Sequence, residues 1–95
     1  MHKVRKLEKQ IENIEIEIAM IDDKIKQYKE LEMRKEISKA EYNRHKARLS
    51  ERIRAKRGVI KRKNKARIQR LKMLEEKEEK KKKKLEEKMK KKEKV

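Results

Sequence analysis

Apolar side chains recur at alternating intervals of three and four residues through the first third of the chain. These positions are Val4, Leu7, Ile11, Ile14, Ile18, Ile21, Ile25 and Tyr28. They fill every a and d position of four heptads, which is the pattern of a coiled-coil seam along one face of a helix. The next seam position is Glu32, so the pattern ends there. The sequence predicts a first helix whose apolar face packs against another helix.

A second helix is indicated at Ser38. Ser38 and Glu41 have the spacing of a capping box, in which the serine hydroxyl accepts a hydrogen bond from the Glu41 amide. Ile37 and Tyr42 have the spacing of a hydrophobic staple around this cap. The first helix must then end near residues 34–36, and helices joined by so short a connection usually fold back as an αα-hairpin. One continuous helix is the alternative, because neither proline nor glycine enforces a break here.

The second helix has a thinner apolar seam, interrupted by Lys56 and Lys63. Its large apolar and aromatic side chains are Tyr42, Leu49, Ile53, Ile60, Ile68, Leu71 and Leu74. A returning helix of residues 39–72 would be about 51 Å long, enough to cover the first helix in antiparallel register. Gly58 lies within it and costs about 1 kcal/mol relative to alanine. This glycine fits a bend, a close approach to a partner, or simple tolerance.

Lysine and glutamate make up most of residues 75–95. Several Glu–Lys pairs are spaced four residues apart, which supports a solvent-exposed helix, but too few apolar residues are present for a core. The predicted fold class is therefore all-α: a long, coiled-coil-like antiparallel two-helix hairpin with an extended charged C-terminal helix or tail. Residues 1–36 form the scaffold helix, residues 37–74 the basic second helix, and residues 75–95 the low-complexity tail.

Positive charge is concentrated in the middle of the chain. Of the 95 residues, 56% are charged and the net charge is +17. Residues 1–37 hold nine basic and nine acidic residues, whereas residues 38–74 hold fifteen basic residues against two acids. Residues 75–95 hold eleven lysines and seven glutamates. A surface built only for solubility would carry comparable acid, as the first and last segments do, so the middle segment indicates a polyanion-binding element.

Arginine and lysine together cover nearly every face of this middle segment. Arginine is weakly hydrated and forms paired hydrogen bonds with phosphate oxygens. Arg44, Arg48 and Arg52 recur at intervals of four, which gives a ridge able to follow a groove or backbone. The predicted phosphate contacts are Arg44, Arg48, Arg52, Arg54, Arg57, Lys61, Arg62, Lys63, Lys65, Arg67 and Arg70.

The favoured partner is a nucleic acid, preferably folded RNA such as ribosomal RNA. Arginine-rich helices suit the irregular phosphate-lined grooves of folded RNA. The presence of two tyrosines, with no phenylalanine or tryptophan, argues against recognition of single strands by base stacking. We therefore expect an RNA-binding, ribosome-associated protein. Non-specific DNA binding, as in a chromatin or virion-packaging protein, stays open because no base-reading motif is present.

No residues with the spacing of a catalytic or metal site occur. The chain has no cysteine, two histidines and one glycine, so it offers no thiolate, no recognisable metal-ligand cluster and no glycine-rich phosphate loop. We expect no enzymatic activity, no cofactor, no metal and no small-molecule substrate. Neither a signal-peptide pattern nor an apolar stretch of membrane-spanning length is present, so a cytoplasmic location is expected.

The main alternative function is that of a coiled-coil assembly or adaptor protein. Such a protein would form a homo-oligomer, or bind a partner helix, through the Ile-rich stripe of the first helix. The uneven distribution of charge argues against it, since an adaptor has no need for so basic a second helix. Attachment to an anionic membrane surface is least favoured, because the helices lack a clean apolar face with Trp, Phe or Leu.

Overall fold

The computed structural model describes residues 2–93, which form two antiparallel α-helices. Helix α1 spans His2–Met33 and helix α2 spans Lys39–Glu93. The molecule is a rod 88 Å long and 15 Å by 14 Å in cross-section, whereas one continuous helix of this length would reach about 138 Å. The predicted all-α hairpin is confirmed, and the alternative of one continuous helix is wrong. Residues 94 and 95 of the predicted tail, and residue 1, lie outside the described residues.

Helix α1 ends in a Schellman motif. The backbone N–H of Glu36 donates to the carbonyl of Leu31, and the N–H of Lys35 donates to the carbonyl of Glu32, each at 2.9 Å. Lys35 itself adopts a φ of 62°, the left-handed conformation that this motif requires and that glycine usually supplies. Lys35 therefore holds the strained backbone conformation at the point where the chain reverses direction.

Ser38 caps the start of α2. Its hydroxyl oxygen accepts a hydrogen bond from the backbone N–H of Glu41 at 3.1 Å, as the capping-box spacing predicted. Its carbonyl accepts the first helical hydrogen bond, from the N–H of Tyr42 at 3.0 Å. Near this turn, Lys29 donates a hydrogen bond to Glu32 at 2.8 Å and lies 4.8 Å from the centroid of the Tyr42 ring. The bond to Glu32 raises the pKa of Lys29 above its ordinary value of 10.5.

Three side-chain contacts show the register of the two helices. The rings of Tyr28 and His45 stack with centroids 4.1 Å apart, Lys56 Nζ lies 2.5 Å from Glu17 Oε2, and Lys63 Nζ lies 2.9 Å from Gln10 Oε1. The residue numbers in each pair total 73, so the start of α1 lies level with residue 71. Residues 72–93 of α2 consequently extend alone beyond α1 for about 33 Å.

The core is a single layer of side chains between the helices. Its buried members are Val4, Ile11, Ile18, Ile21, Tyr42, Leu49 and Ile53, with Leu49 the most enclosed at 1% exposure. The other predicted seam residues of α1 are half-buried: Leu7, Ile14, Ile25 and Tyr28. All eight seam side chains thus lie on the face of α1 that meets α2 of the same chain. The Ile-rich stripe is occupied within the hairpin.

Candidate nucleic-acid interface

Most of the basic side chains of residues 38–74 lie on the surface of α2. Twelve of the fifteen are exposed, and the other three, Lys56, Lys63 and Arg67, are half-buried. The exposed ones are spread over the part of α2 that α1 does not cover, because α1 is held by the buried positions Tyr42 and Leu49. The hairpin therefore turns the cationic part of α2 outward.

Nine of the eleven predicted phosphate contacts are exposed: Arg44, Arg48, Arg52, Arg54, Arg57, Lys61, Arg62, Lys65 and Arg70. Lys63 and Arg67 instead face α1. Lys63 donates to the Gln10 side chain, and one terminal nitrogen of Arg67 lies 3.5 Å from a carboxylate oxygen of Glu8. Both contacts join α2 to α1.

The three inward cations share a position that the sequence alone did not reveal. Lys56, Lys63 and Arg67 continue the spacing of three and four that runs through the seam of α2, so they occupy places where a coiled coil carries apolar residues. In the sequence, Lys56 and Lys63 interrupt the apolar seam, and Lys63 and Arg67 are among the predicted phosphate contacts. Glu17, Gln10 and Glu8 of α1 lie opposite these three cations and accept from them. These pairs can be recognised only once the register of the two helices is known.

Acidic partners for the exposed cations are scarce. Within residues 2–93, one exposed cation of the middle segment forms an ion pair, namely Arg54 with Glu51 at 3.9 Å, and those side chains are 84% and 76% exposed. Exposed pairs of this kind contribute about 0–1 kcal/mol. The positive charge of α2 is therefore not neutralised within the hairpin.

On one side of α2, arginines line three surface clefts, two of which lie between the helices. Arg44 and Arg48 lie beside His45, Arg52 lies beside Lys24, and Arg70 lies beside Lys3 and Lys6. We name this side the first flank and define it by Arg44, Arg48, Arg52 and Arg70. Neighbouring lysines of α1 add to its charge, and Glu17 and Glu41 contribute the acids of these clefts.

On the opposite side of α2, a second group of cations lines a separate cleft. Lys46, Arg54 and Arg57 border it together with Asp22 of α1. Lys61 is exposed and follows Arg57 by four residues, which places it on the same side of the helix. We name this side the second flank and define it by Lys46, Arg54, Arg57 and Lys61.

His45 lies at the edge of the first flank. Its ring stacks on Tyr28 with an interplanar angle of 4°, and its Nδ1 lies 3.4 Å from a terminal nitrogen of Arg48. An arginine nitrogen can only donate, so Nδ1 of the imidazole is the acceptor in this contact. Both tyrosine rings make contacts within the hairpin: Tyr28 stacks on His45, and Tyr42 is buried at 8% exposure.

The described residues hold neither a membrane-spanning helix nor a metal-binding cluster. Neither described helix has an apolar stretch long enough to cross a bilayer. Across residues 2–93, no three His, Cys, Asp or Glu side chains group closely enough to hold a metal ion. No family model matches the chain, and comparisons with curated proteins and with solved structures find no match either. A functional proposal therefore depends on the geometry and charge of the hairpin.

Proposed function

We propose that this protein is a non-enzymatic, cytoplasmic RNA-binding protein that contacts phosphates through α2. The observation that supports it best is the set of exposed basic side chains on α2 that lack acidic partners within residues 2–93. Arginine and lysine in such a setting gain most from a polyanion, because binding releases the condensed counterions of the nucleic acid. Association with ribosomal RNA is the specific form that we favour.

The placement of the aromatic side chains supports a folded RNA rather than a single strand. Single-strand binding proteins rely on aromatic rings on which successive bases stack. Here Tyr28 stacks on His45, and Tyr42 is buried in the core. Phosphate contacts are left as the main source of affinity, and folded RNA offers phosphates at high density along its grooves.

The packing of the hairpin disfavours the adaptor alternative. Its partner helix was to bind the Ile-rich stripe, and that stripe packs against α2 in the hairpin. Outside that stripe, Ile16 and Met20 in the middle of α1 are exposed at 53% and 64%, and Met20 borders the cleft that Arg52 lines. These two side chains are a small patch compared with the interface that a stable helix partner needs.

Binding to a folded RNA, measured as a function of salt, tests the proposal. If about 6–10 phosphates are contacted, the affinity should fall about 10³–10⁵-fold between 50 and 200 mM salt. Replacing Arg52, Arg54 and Arg57 by glutamine should weaken binding and make the salt dependence shallower. The matched control replaces Lys82, Lys83 and Lys84 by glutamine, which removes the same charge from the part of α2 that extends beyond α1.

Comparison with the control variant shows whether RNA binds to the part of α2 that packs against α1. If both triple variants bind equally well, the site assignment is wrong and overall charge alone drives binding. If neither the wild-type protein nor the variants bind folded RNA at 50 mM salt, the function itself is wrong. Sedimentation of the native protein with ribosomal particles, lost after nuclease treatment or at high salt, would test the ribosomal form separately.

A further inference from the structure

The part of α2 that extends beyond α1 carries an apolar stripe that nothing covers within the described residues. We name this part, residues 72–93, the overhang. A helix turns by about 100° per residue, so residues about 18 apart point in the same direction. Arg67 faces α1, and Leu85 therefore projects toward the side on which α1 lies along the rest of α2. Leu85 is 59% exposed, and Met89, one turn further, is 62% exposed.

Two blocks of opposite charge make up the middle of the overhang. Residues 75–79 hold four glutamates and one lysine and form the acidic block, and residues 80–84 are five lysines and form the basic block. All ten side chains are exposed, and none takes part in the ion pairs found across residues 2–93. Leu74 precedes the acidic block and Leu85 follows the basic block, so a leucine stands at each end of the charged pattern.

The order of the blocks makes the overhang complementary to a second overhang that runs in the opposite direction. In the register that places Glu79 opposite Lys80 of a second copy, the acidic block of each copy lies along the basic block of the other. The same register places Leu74 of each copy opposite Leu85 of the other. Apolar contacts flanked by opposite charges stabilise paired helices and set their orientation. A parallel arrangement in equal register would instead place each block beside the block of like charge.

We propose that the overhang binds the overhang of a second copy of this chain in antiparallel orientation. Residues 72–87 of each copy form the paired segment, which is about 24 Å long. The last described residues of each copy diverge from the start of the other copy's α1. The Ile-rich stripe stays packed inside each hairpin, and the predicted phosphate contacts lie before residue 72. Dimerisation therefore uses a separate surface and does not depend on RNA binding.

Sedimentation equilibrium of the full chain, freed of nucleic acid, measures the association. Exposed ion pairs contribute little each, and two leucines per chain bury little apolar surface, so we expect a reversible dimer that forms at protein concentrations below about 1 mM. Small-angle X-ray scattering then gives the shape of the dimer. Two hairpins joined through their overhangs should measure about 135 Å in their longest dimension, whereas two copies packed side by side would stay near the 88 Å of one copy.

Charge-reversal variants test the pairing of the blocks. The first replaces the four glutamates of the acidic block by lysine, and the second replaces Lys80, Lys81, Lys83 and Lys84 of the basic block by glutamate. Each places like charges opposite each other and should weaken dimerisation at least about tenfold. General charge repulsion predicts opposite effects, because the first variant raises the net positive charge and the second lowers it by the same amount. A combined variant exchanges the two blocks at wild-type composition and should dimerise again, and a mixture of the two single-block variants should form heterodimers.

Each outcome has a distinct meaning. A wild-type protein that stays monomeric up to about 1 mM would refute the proposal, and the overhang would then be a solitary helix whose charges pair within it. A dimer near 88 Å long, or one that survives in both single-block variants, would also overturn it, because association would then use another surface. Loss of the dimer in both variants without recovery in the combined variant or in the mixture would show that the blocks do not pair between copies. Circular dichroism of each variant measures the helix content.

Discussion

Replacing Gly58 by alanine should stabilise the hairpin. Gly58 lies inside α2 on an exposed face, its φ is not positive, and a Cβ built on it would meet no atom within 4 Å. The added methyl group therefore has no steric cost, while the backbone entropy penalty of glycine in a helix is removed. The expected gain in the free energy of unfolding is about 1 kcal/mol. For a domain of this size that corresponds to an increase of about 4–8 °C in Tm.

Thermal unfolding followed by far-UV circular dichroism measures the effect. Ala55 provides the matched control, because it is exposed and lies three residues away on the same helix. Ala55→Gly should lower the free energy of unfolding by about 1 kcal/mol. If Ala55→Gly lowers Tm but Gly58→Ala leaves it unchanged or lowers it, α2 is not a regular helix at residue 58 and the reasoning fails.

The same variant distinguishes the remaining interpretations of this glycine. The continuous helix rules out a bend that depends on an unusual glycine conformation. If Gly58→Ala raises Tm and leaves RNA affinity unchanged, the glycine is simply tolerated. If Tm rises and RNA affinity falls, Gly58 is a point at which the backbone of α2 approaches the RNA closely.

Three further substitutions test how the hairpin is held together, each by thermal or denaturant unfolding. Leu49→Ala removes the most enclosed side chain and should cost about 2–5 kcal/mol; a loss well below this would mean that Leu49 is not in a packed core. Ser38→Ala removes the acceptor of the Glu41 amide and should cost about 1 kcal/mol, with Ser38→Asp close to wild type; equal losses in both would exclude a capping role. Lys35→Gly should gain about 1 kcal/mol, because the residue has a φ of 62°; a drop in Tm would contradict the left-handed conformation.

The hairpin could be predicted from sequence because its two strongest signals are local. Unbroken heptads from Val4 to Tyr28 fix the phase of the apolar face of α1, and the Ser38 cap marks where α2 begins. Neither signal depends on distant parts of the chain. The Schellman motif was not predicted, since Lys35 stands where glycine would usually announce it.

The phase of α2 was harder to predict because it depends on contacts distant in sequence. Lysine and arginine appear on all faces of this helix, so sequence reasoning could not separate inward from outward cations. Lys63 and Arg67 were assigned to phosphate, although Gln10 and Glu8 on α1 bind them in the structure. The clefts that Arg52 and Arg54 border on opposite sides of α2 likewise became visible only with the direction of α1 known.

The cations that would bind a polyanion also destabilise α2 as a helix, and packing against α1 offsets this effect. Cations four residues apart, such as Arg44, Arg48 and Arg52, repel each other and destabilise an isolated helix by about 0.2–0.5 kcal/mol per pair. The isoleucine seam of α1, carried on a helix of balanced charge, supplies compensating burial without adding repulsion. Because the seam covers one side of α2 only, the repelling cations stay exposed on both flanks. A bound polyanion would relieve the same repulsion, so RNA binding and hairpin stability should increase together.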